Sequence, residues 1–288
     1  MAQRRSLIEI HLATALFGLA GLFGKWLPLS PVLIVFGRVA FAGPALGAAL
    51  LATRQSLRRP VRQCGWLLPG LGGILAAHWV SFFQSIQVSS VAIGLLAYSS
   101  FPVFTVLLEP LLIRERIDRM NLFLAGLCLA GVFLIIPRFD PAEAVYRGVL
   151  WGLLSGLTFA VLTIFNRRLA QKYPSLAIAF GEDVSALLFL FPFVWGTGGK
   201  LTGKSLLLLA VLGVVCTAGS HTLFISGMRR VRAQTASIIS LLEPVYGILL
   251  AFFFLGERPA VRTLAGGAII LAAVGLVSAK ETSKARAA

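Results

Sequence analysis

The chain has 288 residues, of which 58% are hydrophobic and only 13% charged. That composition excludes a disordered chain, which needs low hydrophobicity, and departs from soluble domains, which run near 45–50% apolar and about 25% charged. The formal net charge of +15 would point to nucleic acid in a soluble protein, but here the basic residues fall in short runs between long apolar stretches, as membrane topology requires, and no nucleic-acid partner is expected.

Arg4 and Arg5 precede a first apolar run that reaches about Leu27. It is longer than a signal-peptide core and further runs follow, so it reads as a first helix and not a cleaved leader. Apolar runs then fall at 7–27, 31–52, 65–87, 90–113, 120–137, 148–168, 175–196, 205–227, 234–255 and 261–279. Each is long enough to cross about 30 Å of hydrocarbon at about 1.5 Å per residue. Lipid offers no partner to open backbone groups, which requires helices or a closed barrel. A barrel needs segments of about ten alternating residues, and these runs are continuous. The expected fold is therefore an all-α integral membrane bundle of ten transmembrane helices. Of the 26 Lys and Arg, eighteen lie on the side of the N-terminus, seven on the other, and Arg38 lies inside the second span. That bias places both termini in the cytoplasm and makes the chain a multi-pass protein of the cytoplasmic (inner) membrane.

The chain also repeats itself. Pro102 and Pro244, and Arg114-Glu115-Arg116 and Gly256-Glu257-Arg258, are offset by the same interval, as are Phe82 and Phe224 and Ala76 and Ala218. Phe36-Gly37-Arg38 corresponds to Phe180-Gly181-Glu182 at a slightly larger interval. The series divides the chain into five-helix halves, 1–142 and 143–288. Five is odd, so the second half enters the membrane inverted. Such inverted repeats belong to secondary transporters that bind substrate near midplane between the halves, and rocking of one half against the other gives alternating access.

Two five-helix halves, each with a proline in its fourth helix and a glutamate just past that helix's end, resemble the drug/metabolite transporter superfamily. The nearest likeness is to its bacterial ten-helix EamA-type branch. The residues that carry it are Pro102 and Glu115 with Gly126 and Gly131, and Pro244 and Glu257 with Gly266, Gly267 and Gly275. The first half has Arg114 where such proteins often carry the glycine that Gly256 supplies in the second. The resemblance implies export of amino acids or related small metabolites, commonly driven by a proton gradient. The alternative is an uncoupled uniporter or exchanger of a small organic metabolite, or a drug efflux protein.

Ionisable groups within a bilayer are costly and become functional candidates. Glu243, in the ninth span and followed by Pro244, is placed near midplane. It suits a proton site or a partner for a substrate amine; the structural alternative is an ion pair with a buried base. His78 and His221, in the third and eighth spans, can relay protons or simply hydrogen-bond a neighbouring helix. Arg38 and Glu182 occupy corresponding positions near midplane and can pair with each other. Arg38 can instead hold a substrate carboxylate in its bidentate fork. Asp183 points about 100° away from Glu182 around the helix, so the two are not expected to share one partner. Glu109 is expected to snorkel or to pair with Arg114, and Glu115 and Glu257 to tie loops to helix ends. Trp79, Tyr98 and Tyr246, with Phe82, Phe83 and Phe101, supply an aromatic lining suited to an apolar or ammonium-bearing substrate.

Gly72-xxx-Ala76, Gly73-xxx-Ala77, Gly126-xxx-Ala130 and Ala268-xxx-Ala272 are expected to pack helices closely, with a homodimer contact as the residual reading. No GxxxxGK[ST] run occurs, so ATP-driven transport by this chain is not expected. Cys64, Cys128 and Cys216 are scattered and suggest neither disulfides nor a metal site. No nucleophile and base stand at reactive spacing, so neither an enzyme nor a cofactor is expected.

Overall fold

The computed structural model describes residues 2–113, 119–136, 140–197, 199, 201–231, 236, 239–240 and 242–287. Arg114 and Glu115 lie outside them. The helices are α1 (Ala2–Trp26), α2 (Pro31–Ala52), α3 (Arg58–Cys64), α4 (Leu67–Val88), α5 (Val91–Tyr98), α6 (Phe101–Ile113), α7 (Arg119–Ile135), α8 (Ala144–Ala170) and α9 (Ser175–Val194). Helix α10 (Gly203–Gly213) continues through a π-helical turn, Val214–Gly219, into α11 (Ser220–Gly227). Then come α12 (Leu242–Leu255) and α13 (Val261–Ala287). Seven described stretches are long and apolar enough to span a bilayer, and Leu242–Leu255 and Val261–Ala273 are shorter apolar helices.

Local chemistry sets the helix starts. Ser30 accepts from the Leu33 N–H with Pro31 at the first helical position of α2, and Ser90 and Thr202 accept from the Ile93 and Ser205 N–H groups. These hydroxyls satisfy donors that the helix itself leaves open.

Two interruptions and one extra helix depart from the expected spans. The run at 90–113 is divided at Ser99 and Ser100, whose hydroxyls donate to Leu95 O and Ala97 O at 2.7 Å each. Pro102 follows and lacks the N–H that would close the next turn. The run at 205–227 widens into the π turn, where Thr217 Oγ1 donates five residues back to Leu212 O at 2.7 Å. Between α2 and α4, Arg58–Cys64 forms the short helix α3.

The packing obeys a two-fold relation between the halves. Helix α4 lies against α8 and α9, while α10 and α11 lie against α2 and α1 respectively. Helix α5 lies on α8, and α12 lies on α1 in the same way. The pairs α2–α9, α5–α12 and α7–α13 meet across the relation itself. A Cβ on Gly72 would fall 2.7 Å from Glu182 O, and a Cβ on Gly213 would collide with Arg38 O. The same close approach therefore occurs once in each half, and each time it positions the backbone of a buried charge. The principal contacts run between the halves, so residues 1–142 and 143–288 are interlocked and are not separate packing units.

The expected small-residue contacts are only partly present. Gly72 is buried in the α4–α9 contact, and Gly73 meets Phe189 at 3.4 Å. Gly126 has nothing within 4 Å, and Ala268 and Ala272 are exposed. The α7–α13 contact is made instead by Gly131 and Gly266, each of which would place a Cβ within 3 Å of the other's carbonyl oxygen.

Candidate functional site

At the centre of the bundle, α1, α2, α4, α5, α8, α11 and α12 enclose a cavity. Its walls include Arg38, His78, Trp79, Phe82, Tyr98, Phe159, Asn166, His221 and Glu243. Six of the eight candidate residues thus face one space. Glu182 stands directly behind His221. Tyr246 lies elsewhere: it is 36% exposed on α12, with its Cβ against Gly18 of α1. The open volume is about 30 Å³, enough for a water or two and far below the roughly 300–1,000 Å³ of ligand pockets. The conformation is closed, and a metabolite requires the helices to part.

Arg38 is 2% exposed. Its Nε donates to Thr217 Oγ1 at 2.8 Å and its Nη2 to Cys216 O at 3.2 Å. The π turn supplies both acceptors, a recurrent use of such turns at functional sites. The guanidinium carbon lies 3.9 Å from the Trp79 ring centroid, a contact of about 2 kcal/mol when desolvated. Arg38 and Glu182 form no ion pair within 4 Å, so the direct pairing of these two residues does not occur. Their helices cross at α2–α9, but Arg38 turns to Trp79 and the π turn, and Glu182 to Asn166 and His221.

Glu182 Oε2 lies 3.2 Å from His221 Nε2 and accepts from Asn166 Nδ2, also at 3.2 Å. Asp183 Oδ1 lies 3.5 Å from His221 Nδ1. The two adjacent acids do share one partner, contrary to the expectation from their 100° separation. An imidazole presents nitrogens on two edges, and carboxylates on neighbouring helical positions can straddle it.

His78 Nδ1 lies 3.0 Å from Ser155 O and 2.9 Å from Ser155 Oγ. A carbonyl only accepts, so the contact to Ser155 O places a proton on Nδ1. The ring stacks on Phe159 with centroids 4.9 Å apart. Glu243 interacts with the Tyr98 hydroxyl and with the charge of Arg38. Its Oε2 is buried without a hydrogen-bond partner among the described residues.

Glu109 Oε1 lies 4.0 Å from Arg167 Nη1. Glu257 accepts from the Val91 N–H at 3.0 Å and so ties the end of α12 to the start of α5. Asn166, Thr217 and Phe159 are site residues that the sequence did not single out. An amide within an apolar run was the available signal for Asn166. Thr217 and Phe159 are ordinary residues for a membrane helix and carry none.

The EamA-like transporter family matches this chain twice, over residues 5–136 and 146–279. The chain belongs to the EamA-like transporter family. It is similar to an uncharacterized transporter of Archaeoglobus fulgidus, with 30% identity over 92% of this chain and 93% of that one. The transporter YxxF of Bacillus subtilis is 25% identical over 97% and 91%. The inner membrane transporter YicL of Salmonella typhimurium is 24% identical over 99% of each chain. A crystal structure of a protein 23% identical in sequence aligns over 96% of this chain and 98% of its own, with a TM-score of 0.69. At that identity the likeness speaks to the fold alone. This EamA-family protein is therefore a multi-pass membrane transporter with two EamA repeats and a small-molecule substrate, and not an enzyme.

Proposed function

We propose that the protein exports amino acids or closely related zwitterionic metabolites by alternating access, driven by a proton gradient. The observation that carries this reading is the presence, in one aromatic-lined cavity, of a buried arginine and of a glutamate whose Oε2 has no hydrogen-bond partner among the described residues. Arg38 suits a substrate carboxylate and Glu243 suits its ammonium. Trp79, Tyr98 and Phe159 surround the pair with faces that accept an apolar side chain and favour a cation. His78, anchored by Ser155, lines the same cavity. Among the described residues, Arg38 is the one arginine or lysine in the cavity wall, too few for a strongly anionic substrate such as a phosphate ester.

The moving units follow the packing. One bundle is built from α4, α5, α6 and α8, and its two-fold counterpart from α1, α10, α11 and α12. Tilting one against the other opens the cavity to one side of the membrane at a time. The relative YicL is described as an inner membrane transporter. With the excess of basic residues on the side of the N-terminus, this supports an inner-membrane position with both termini in the cytoplasm.

The test is flux in proteoliposomes carrying the full chain, with a panel of labelled amino acids, with and without a pH gradient. Saturable transport of one class of amino acid that grows with the gradient is the expected result. Transport of none of them would overturn the substrate assignment, and transport indifferent to the gradient would overturn the coupling.

A further inference from the structure

We propose that the coupling proton is bound by Glu182, Asp183 and His221, at a site separate from the substrate contacts on Arg38 and Glu243. The inference rests on the proton-coupled reading above and assigns it a place.

Charge balance points to these three residues. Arg38 is drawn first to the charge of Asp183 and then to that of Glu243, so one guanidinium faces two acids, and a zwitterionic substrate inserted between Arg38 and Glu243 leaves the total unchanged. The triad does not balance itself. With a charged imidazole it holds one positive and two negative groups, and both acids are 0% exposed. An uncompensated buried charge is the expensive arrangement, and one further proton shared by the carboxylates removes it. Glu182 Oε1 and both Asp183 oxygens have no hydrogen-bond partner among the described residues, so acceptor positions for that proton are open.

Position points the same way. Helix α9 lies outside both bundles and packs on α4 and on α2, while α11 packs on α1. The contacts from His221 to Glu182 and Asp183 therefore join α11 of one bundle to α9, which packs on α4 of the other. Loss of the imidazole proton weakens both contacts at once and leaves two like charges adjacent on α9. The site thus converts a protonation change into a change in cohesion between the moving units.

The repeat sets the triad apart from its counterpart. Adding the same interval that relates Pro102 to Pro244 carries Trp79 onto His221, and Arg38 corresponds to Glu182. Arg38 rests on Trp79 in one half, and Glu182 rests on His221 in the other. These two rings, from the third and eighth spans, meet edge to face with centroids 5.8 Å apart. One corner of the repeat carries a permanent cation, and its counterpart carries a titratable anion pair.

Among the described residues, few groups face the triad. Helix α2 presents Arg38 toward Asp183, α4 presents His78 toward His221, and the π turn places the Cys216 thiol near Arg38. Helix α12 presents Glu243 toward Arg38, and α8 contributes Asn166. The stretch of α1 between His11 and Lys25 has no titratable side chain.

The test compares His221→Gln, Asp183→Asn, Glu182→Gln and Glu243→Gln with the unaltered protein in proteoliposomes. Substrate counterflow without a gradient reports an intact binding site; accumulation against a pH gradient reports coupling. Glu182→Gln and Asp183→Asn, which are not in the cavity wall, are expected to keep counterflow while their accumulation falls to the gradient-free level; His221→Gln, which is in the wall, is read by its loss of gradient dependence alone. If the triad variants accumulate normally and Glu243→Gln alone is uncoupled, the proton belongs on Glu243 and the proposal is overturned. Should His221→Gln not fold, the two acid-to-amide variants keep the side-chain shapes and decide the matter by the same criterion. A readout independent of substrate uses Trp79 as the sole tryptophan. Its fluorescence should titrate with pH through the adjacent imidazole and lose that titration in His221→Gln. A pH-independent signal in the parent would overturn the proposal even if no amino acid proves to be transported.

Discussion

Arg38 is held by geometry that a lysine cannot copy. Its fork donates to Thr217 and Cys216, and its plane covers Trp79. Arg38→Lys keeps the charge but loses the fork and the stacking. Charge-assisted hydrogen bonds contribute about 1.5–3 kcal/mol each, so the KM for a zwitterionic substrate should rise by roughly tenfold or more. The concentration dependence of proteoliposome flux measures this, with protein yield little changed. Arg38→Ala should lower the amount of folded protein, because removing one partner of a buried charge pair costs about 3–5 kcal/mol. Much of this site was legible in the sequence, since ionisable residues in apolar runs are few and conspicuous. Their partners were not. Arg38 and Glu182 align in the repeat, yet they do not pair: Arg38 bonds to Thr217 and Cys216, and Glu182 to Asn166 and His221. Only the crossing angles and rotamers decide that, and spacing along the chain contains neither.

Among the helices, the glycines that meet a facing backbone separate from those that do not. Gly72 and Gly213 bring α4 onto α9 and α10 onto α2 with no room for a methyl group, whereas Gly126 faces open space. Overpacking costs roughly 1–3 kcal/mol. Gly72→Ala and Gly213→Ala should therefore each lower the thermal unfolding midpoint of detergent-solubilised protein, while Gly126→Ala should leave it unchanged. A larger effect at Gly126 than at Gly72 would show that the close approach is misplaced. Hydropathy located the spans because a helix enters lipid chiefly on the strength of its apolar length. It was blind to the break at Ser99 and Ser100 and to the widened turn at Val214–Gly219. Both are accompanied by hydroxyl-to-carbonyl bonds, the first also by Pro102, and these scarcely alter the hydropathy of a run. The two irregularities lie beside the cavity, and the π turn directly supplies the acceptors for Arg38.

Across the whole molecule, the interlocking of the halves governs assembly. Helix α4 has its main partners, α8 and α9, in the second half, and α11 has its partner α1 in the first. Residues 1–142 expressed alone should insert yet remain sensitive to protease, and co-expression with residues 143–288 should restore protection. Protection of the first half by itself would contradict the crossed packing. The bond from Glu257 to the Val91 N–H carries this dependence into biosynthesis. The carboxylate that completes the start of α5 lies 166 residues later in the chain. Ribosomes add about 5–20 residues per second, so the first of the two helices waits on the order of ten seconds or more for its cap. During that interval Ser90 alone holds the helix start, and the early half of the nascent chain sits in the bilayer with unsealed surfaces. The insertion machinery, or lipid itself, must occupy those surfaces until the ninth span arrives.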